Sequence, residues 1–138
     1  MATTLRLSVA ARNAMLAALL ASIDADAGPS RIEIYSGTAP ANANAALSGN
    51  VLLATLNFSD PAAPAPSGGV LTFNAIATGT AVATGTATFA RIRDNSGDVI
   101  FDCDVSDDAS GVLNLNTVSI VTGGPVVVSA GGTIALAG

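Results

Sequence analysis

The stretch that decides the fold is TATFARIRDNSGDVIFDCDV, Thr86 to Val105. Ala87, Phe89, Arg91 and Arg93 alternate with Thr88, Ala90 and Ile92. Further on, Val99, Phe101, Cys103 and Val105 alternate with Asp98, Ile100, Asp102 and Asp104. Alternation with period two marks a half-buried strand, because successive side chains point to opposite faces. Between the runs, Asp94-Asn95-Ser96-Gly97 reads as a tight turn. Asp and Asn bond nearby backbone there, and Gly takes positive φ at no steric cost. The stretch is a hairpin at the centre of an all-β core.

Working outward, Arg31 to Tyr35 reads as a strand with Ile32 and Ile34 inward. Val51 to Ser59 reads as another, with Leu52, Ala54, Leu56 and Phe58 on one side. Val70 to Ile76 groups Leu71, Phe73 and Ala75, and Val112 to Val121 groups Leu113, Leu115, Thr117, Ser119 and Val121. Val126 to Ser129 and Thr133 to Leu136 finish the chain, separated by Ala130-Gly131-Gly132. Residues 77–82 are echoed by 83–88, too few copies for a solenoid. The first copy reads as a weak edge strand and the second as the lead into the hairpin. Ser36 to Asn50 is a loop. Asp60 to Gly69, stiffened by Pro61, Pro64 and Pro66, is either a contact arm or a rigid linker.

At the start, Ser8 is a candidate N-cap for a helix from Val9 to about Ala25. Met15, Leu16, Leu19, Leu20 and Ile23 form its apolar stripe, and Gly28-Pro29 stops it. Short strands separated by turn signals predict a mainly β fold: an antiparallel, jelly-roll-like β-sandwich with one N-terminal α-helix. The expected organisation is an N-terminal extension, residues 1–7, and one domain, residues 8–138, that includes helix 8–25.

Composition narrows the function. At 138 residues the chain suits one domain. Hydrophobic residues make up 50% but aromatics only 4%, so the core is thin, with Phe58, Phe73, Phe89 and Phe101 as its large fillers. A shallow core gains less from burial, so assembly with other subunits is expected to add stability. The net charge is −5, and the basic residues are Arg6, Arg12, Arg31, Arg91 and Arg93. That is no dense positive patch, and nucleic acid is not an expected partner. Charged residues are only 11%, which argues for a surface covered by partners or, alternatively, for a neutral Ser/Thr/Ala/Asn exterior.

Arg6, Arg12 and the apolar run Ala14 to Ile23 imitate a secretory leader, but Asp24 and Asp26 crowd the would-be cleavage site. The run is too short to span a bilayer, so neither a targeting segment nor a membrane anchor is expected.

Chemistry-bearing constellations are scarce. With no His there is no nucleophile–His pair, no triad and no usual zinc site. The single Cys103 excludes an internal disulfide and reads as a buried, inert thiol. Asp102, Asp104, Asp107 and Asp108 fail the EF-hand spacing and read as a solvated face. One Glu and one Tyr are poor equipment for a glycosidase. The glycines match no phosphate-binding loop, and Asn57-Phe58-Ser59 is a weak glycosylation tripeptide inside a strand. No catalytic residue, cofactor or metal is expected. Arg91 and Arg93 face Asp98 and Asp102 on the paired strand, so cross-strand ion pairs explain them; the alternative is that they reach a partner's carboxylates.

Three stretches carry a resemblance: TTLRLSVAARNAMLAALLASIDADAGPSRIEIYSGTAP, then LLATLNFSDPA, then LNLNTVSIVTGGPVVVSAGGTIALAG. Together they resemble small virion structural proteins of tailed bacteriophages. In that family a short Ala/Leu helix leads into an IEIYSG-like strand and a T-x-P turn. The resemblance implies a head decoration (cement) protein of jelly-roll-like fold, made in the host cytoplasm and placed on the capsid surface. The implied partners are the major capsid protein and the chain itself, as a two-fold homodimer with a trimer as the alternative. The contact candidates are Thr3, Thr4, Leu5, Arg6 and Leu7, the loop prolines Pro61, Pro64 and Pro66, and Arg91 and Arg93. Competing readings are a tail or fibre component, and a secreted adhesin or pilin-like subunit.

Overall fold

The computed structural model describes residues 5–129 and 132–136. Helix α1 runs Val9–Ile23, and the Ser8 hydroxyl caps it by accepting the Ala11 amide at 3.1 Å. It stops before Gly28-Pro29, where the Asp24 amide closes onto the Leu20 carbonyl at 2.9 Å. Leu16 and Ile23 are buried and Leu19 and Leu20 pack against the core, but Met15 stands outside the stripe at 51% exposure.

Eleven strands follow: β1 Arg31–Tyr35, β2 Leu52–Asn57, β3 Val70–Thr72, β4 Gly79–Thr80, β5 Gly85–Thr86, β6 Phe89–Arg93, β7 Val99–Ser106, β8 Leu113–Asn114, β9 Ser119–Ile120, β10 Pro125–Val126 and β11 Thr133–Ala135. The hairpin is β6–β7, antiparallel, with Phe89 opposite Asp104 and Ile92 opposite Phe101. Gly97, at φ 99°, makes its turn possible. The main sheet has the order β2-β1-β6-β7-β8 and forms a curled, mixed half-barrel rather than a clear jelly-roll sandwich.

It is mixed because β7 and β8 pair in parallel, Val105 with Leu113, across a loop of only residues 107–112. Parallel neighbours usually need a crossover of a dozen or more residues. Here side chains knit the short loop. The Ser106 hydroxyl accepts the Gly111 amide at 2.9 Å and donates to Asn114 Oδ1 at 2.7 Å, and Asp104 accepts the Val112 amide at 2.9 Å.

Both edges of the half-barrel are hydrogen-bonded onward. On the β2 edge, the carbonyls of Leu53 and Asn57 accept the amides of Val82 (2.8 Å) and Ala77 (3.1 Å). On the β8 edge, the Asn114 carbonyl accepts Ser129 (2.7 Å) and the Asn116 amide donates to Val127 (2.9 Å). The echoed Gly-Thr pairs complete the circuit: β4 pairs with β10 and β5 with β9. Gly79 is needed there, since a Cβ would lie 2.9 Å from the Thr55 carbonyl oxygen.

Several sequence expectations are corrected. Strand β2 does not alternate cleanly: the register jumps from Ile34–Ala54 to Tyr35–Leu52, leaving Leu53 as an extra, fully buried residue beside half-buried Leu52. Residues 112–121 are not one strand. Thr117 accepts the Ser119 amide at 3.1 Å and Asp107 accepts the Val118 amide at 3.1 Å, so the chain kinks. Beyond the kink Ile120 is buried and Val121 is 61% exposed, the reverse of the expected parity. Finally, β6 is buried on both faces, with Phe89 and Arg91 inaccessible as well as Ala90 and Ile92. Phe101, expected as a core filler, is half-buried. Phe58 and Phe73 do fill the core, ring centroids 4.8 Å apart. The separator Ala130-Gly131 lies outside the described residues.

Candidate interaction surface

The polar chemistry collects on the face of β1, β6 and β7 that turns away from Ile32, Ile34 and Ile92. Strand register places Glu33 opposite Arg91 and Arg91 opposite Asp102, with Arg31 opposite Arg93 and Tyr35 opposite Phe89. Arg91 is buried and forks onto Asp102, Nε to Oδ1 at 2.8 Å and Nη2 to Oδ2 at 2.9 Å. Arg93 reaches across to Glu33 at 2.6 Å, not to Asp98 or Asp102, and donates to the Gly97 carbonyl at 3.0 Å. The cross-strand ion pairs expected from sequence are present, with Glu33 replacing one predicted acid. The bonds to Asp102 and Glu33 raise the pKa values of Arg91 and Arg93 respectively. The Tyr35 hydroxyl donates to Glu33 at 3.0 Å, and its ring stacks on Phe89 at 5.5 Å. Burial, then the neighbouring Glu33, push the Tyr35 pKa up.

In the acidic run Asp104, Asp107 and Asp108 are exposed, as a solvated face requires, and Asp102 is half-buried; each also accepts hydrogen bonds within the chain. Asp102 holds Arg91, Asp104 the Val112 amide, Asp107 the Val118 amide, and Asp108 both the amide and the hydroxyl of Ser110. Those Ser110 bonds hold Asp108 below the usual carboxylate range. Among the described residues no group of three His, Cys, Asp or Glu is placed to hold a metal ion. Burial, then Asp104 and Asp102, push the Cys103 thiol up to about 12. Cys103 lines a shallow cleft of about 240 Å³ with Phe89, Asp102, Asp104, Thr88 and Ala39. That is smaller than sites that enclose a drug-sized ligand.

The predicted contact residues divide. Leu5 (79%) and Arg6 are exposed, Leu7 is half-buried, and Thr3 and Thr4 lie outside the described residues. Pro61 and Pro64 are exposed and Pro66 is half-buried. Their loop is packed down, with Ala62 and Ala63 buried. Asp24 accepts the Ala62 amide at 3.1 Å and Asn13 accepts the Gly69 amide at 2.8 Å. Loop 36–50 is also anchored, since Asn50 donates to the carbonyls of Ser36 and Thr38. Arg91 and Arg93 are engaged within the chain.

Sequence reading missed one surface. The outward side of α1 presents Val9, Ala10, Ala14, Met15, Ala17, Ala18 and Ala21. The one charged residue of the helix, Arg12, is turned toward the Leu136 carbonyl at 3.3 Å. The signal was there: no acid and one base from Val9 to Ile23. A helix whose outward side carries no charge calls for cover beyond its core-facing stripe. Among the described residues no helix is long and apolar enough to cross a membrane.

The fold and surface thus define a mainly β domain with one N-terminal helix. No family model, curated protein or solved structure matches the chain.

Proposed function

We propose that the chain is a structural protein of a tailed-bacteriophage particle, a decoration subunit that lies on the outside of the shell and clamps neighbouring major capsid proteins. The observation that carries the reading is the uncharged outer side of α1, with Val9 and Met15 exposed on it and Leu5 exposed just before it. Apolar surface of that kind marks a contact site rather than a solvated exterior. The sealed sheet edges favour side-chain contacts over strand addition. In this reading the half-barrel with its short closing strands is a variant of the jelly-roll-like sandwich, and the clamp works as a two-fold dimer, with a trimer as the alternative. Many weak contacts then add through avidity. No catalytic step is required of it.

Two measurements test the proposal. Mass spectrometry of purified particles should find the protein in a fixed ratio to the shell protein; its absence from heads would end the reading. Removing residues 1–7 should leave the domain folded and loosen its hold on shells. Unchanged retention would show that this segment is no anchor.

A further inference from the structure

We infer that the cleft between β7 and the start of loop 36–50 receives a lysine side chain of a partner protein. The contact rests on the reading above for its place in an assembly, but its chemistry is tested on the isolated chain, so either can fail without the other.

Phe89, 2% exposed, is the floor of the cleft. Strand β7 supplies half-buried Asp102 and Cys103, while Ala39, Thr88 and Asp104 are all exposed and leave the mouth open to solvent. A volume of about 240 Å³ holds one long side chain rather than a whole drug-sized ligand. The loop side is fixed in advance. The Thr88 hydroxyl donates to the Gly37 carbonyl at 2.6 Å, and Asn50 donates to the Ser36 and Thr38 carbonyls at 2.9 and 3.0 Å. A slot already formed costs less to fill than one that must be ordered.

The two acids of the cleft differ. Asp102 is neutralised, with both oxygens held by Arg91. Asp104 stands opposite Phe89 across the strand pair and makes no ion pair among the described residues. Its Oδ1 accepts the Val112 amide at 2.9 Å, and Oδ2 has no partner among those residues. No basic side chain among them lines the cleft. The negative field reaches Cys103, whose thiol is pushed up by burial and then by Asp104 and Asp102.

An apolar floor with one open carboxylate at the rim suits a side chain that is apolar along its stem and cationic at its tip. Lysine fits better than arginine. The arginine fork matches both oxygens of a carboxylate, and Oδ1 is engaged; an ammonium is a point charge that needs only Oδ2. A divalent cation would require more oxygens, and among the described residues no three acids are placed to hold one. The chain contains no lysine, so a second copy cannot supply that side chain and the occupant belongs to a different protein.

The test is an NMR titration of the full chain with Nα-acetyl-lysine methylamide at fixed ionic strength, following backbone amides. Saturable shifts should centre on Ala39, Thr88, Phe89, Cys103 and Asp104. The norleucine and arginine counterparts should bind more weakly. Asp104→Asn, which keeps an oxygen for Val112, should weaken the lysine compound about two- to fivefold, the effect of one exposed ion pair. Ala39→Phe, a change at an exposed loop position, should block the mouth and abolish the shifts. No saturable shift, or shifts spread evenly over the acidic surface, overturns the inference. Full binding by either variant places the compound elsewhere and overturns it too. Equal or tighter binding of the arginine compound overturns the choice of lysine.

Discussion

Arg91 and Asp102 face each other across β6 and β7 and meet in a two-pronged ion pair, with the two side chains only 4% and 15% exposed. Neighbouring strands place them there, and burial makes the pair costly to break from one side. Asp102→Ala should destabilise the domain by about 3 kcal/mol, near the lower end for a buried pair because Asp102 keeps some water. Replacing both residues with apolar ones of similar size should recover most of that loss. Urea unfolding of the single and double variants checks both statements.

The 94–97 turn should set part of the acid limb. The Ser96 hydroxyl and the amides of Asp98, Gly97 and Ser96 hold the Asp94 carboxyl below its ordinary value. The folded state therefore takes up this proton less readily than the unfolded chain, whose Asp pKa is about 3.9. The stabilisation is complete above that value and fades as pH falls below about 4. Asp94→Ala should lower stability at neutral pH and flatten the dependence between about pH 4 and 2, as measured by thermal melts across that range.

Cys103 gives the opposite limb. A thiol held at about 12 when folded ionises near 8.5 once unfolded. Its contribution is present below about pH 8.5 and is lost as pH rises toward 12. Cys103→Ala should blunt this alkaline loss. In the native protein at pH 8 the thiol should react with iodoacetamide slower by about three orders of magnitude than a free cysteine, and at the ordinary rate in denaturant.

At Gly79 a methyl group would press on the Thr55 carbonyl at 2.9 Å, which backbone cannot easily relieve. Gly79→Ala should cost about 1–3 kcal/mol. The matching change at Gly85 meets side chains alone, Leu53 at 3.1 Å and Ser36 Cβ at 3.7 Å, and should cost less. Denaturation midpoints of the two variants give the comparison.

The Ser30 hydroxyl is buried without a partner among the described residues, at 1% exposure. Ser30→Ala removes an unsatisfied polar group, so stability should hold or rise by up to about 1 kcal/mol, against the usual direction of core changes. Calorimetry settles the sign.

Local signals wrote the parts of this fold that could be read in advance. Ser8 and the Ala/Leu run marked the helix, Arg31 to Tyr35 matched β1 end to end, and Asp94 to Gly97 marked the turn of the hairpin. What escaped depends on residues far apart in the chain. The Arg93–Glu33 pair requires β1 beside β6, and the Leu53 bulge requires β1 beside β2. The parity switch before Ile120 depends on Asp107 reaching the Val118 amide.

The bonds that seal the β8 edge come from Val127 and Ser129, and those that seal β2 come from Ala77 and Val82. In a nascent chain the β2 border can therefore close before the central hairpin emerges, whereas the β8 border stays open until Val127 and Ser129 follow it. Long-range closure of this kind slows folding and exposes strands meanwhile. Synthesis rate and chaperone supply, more than final stability, should govern the yield of soluble protein.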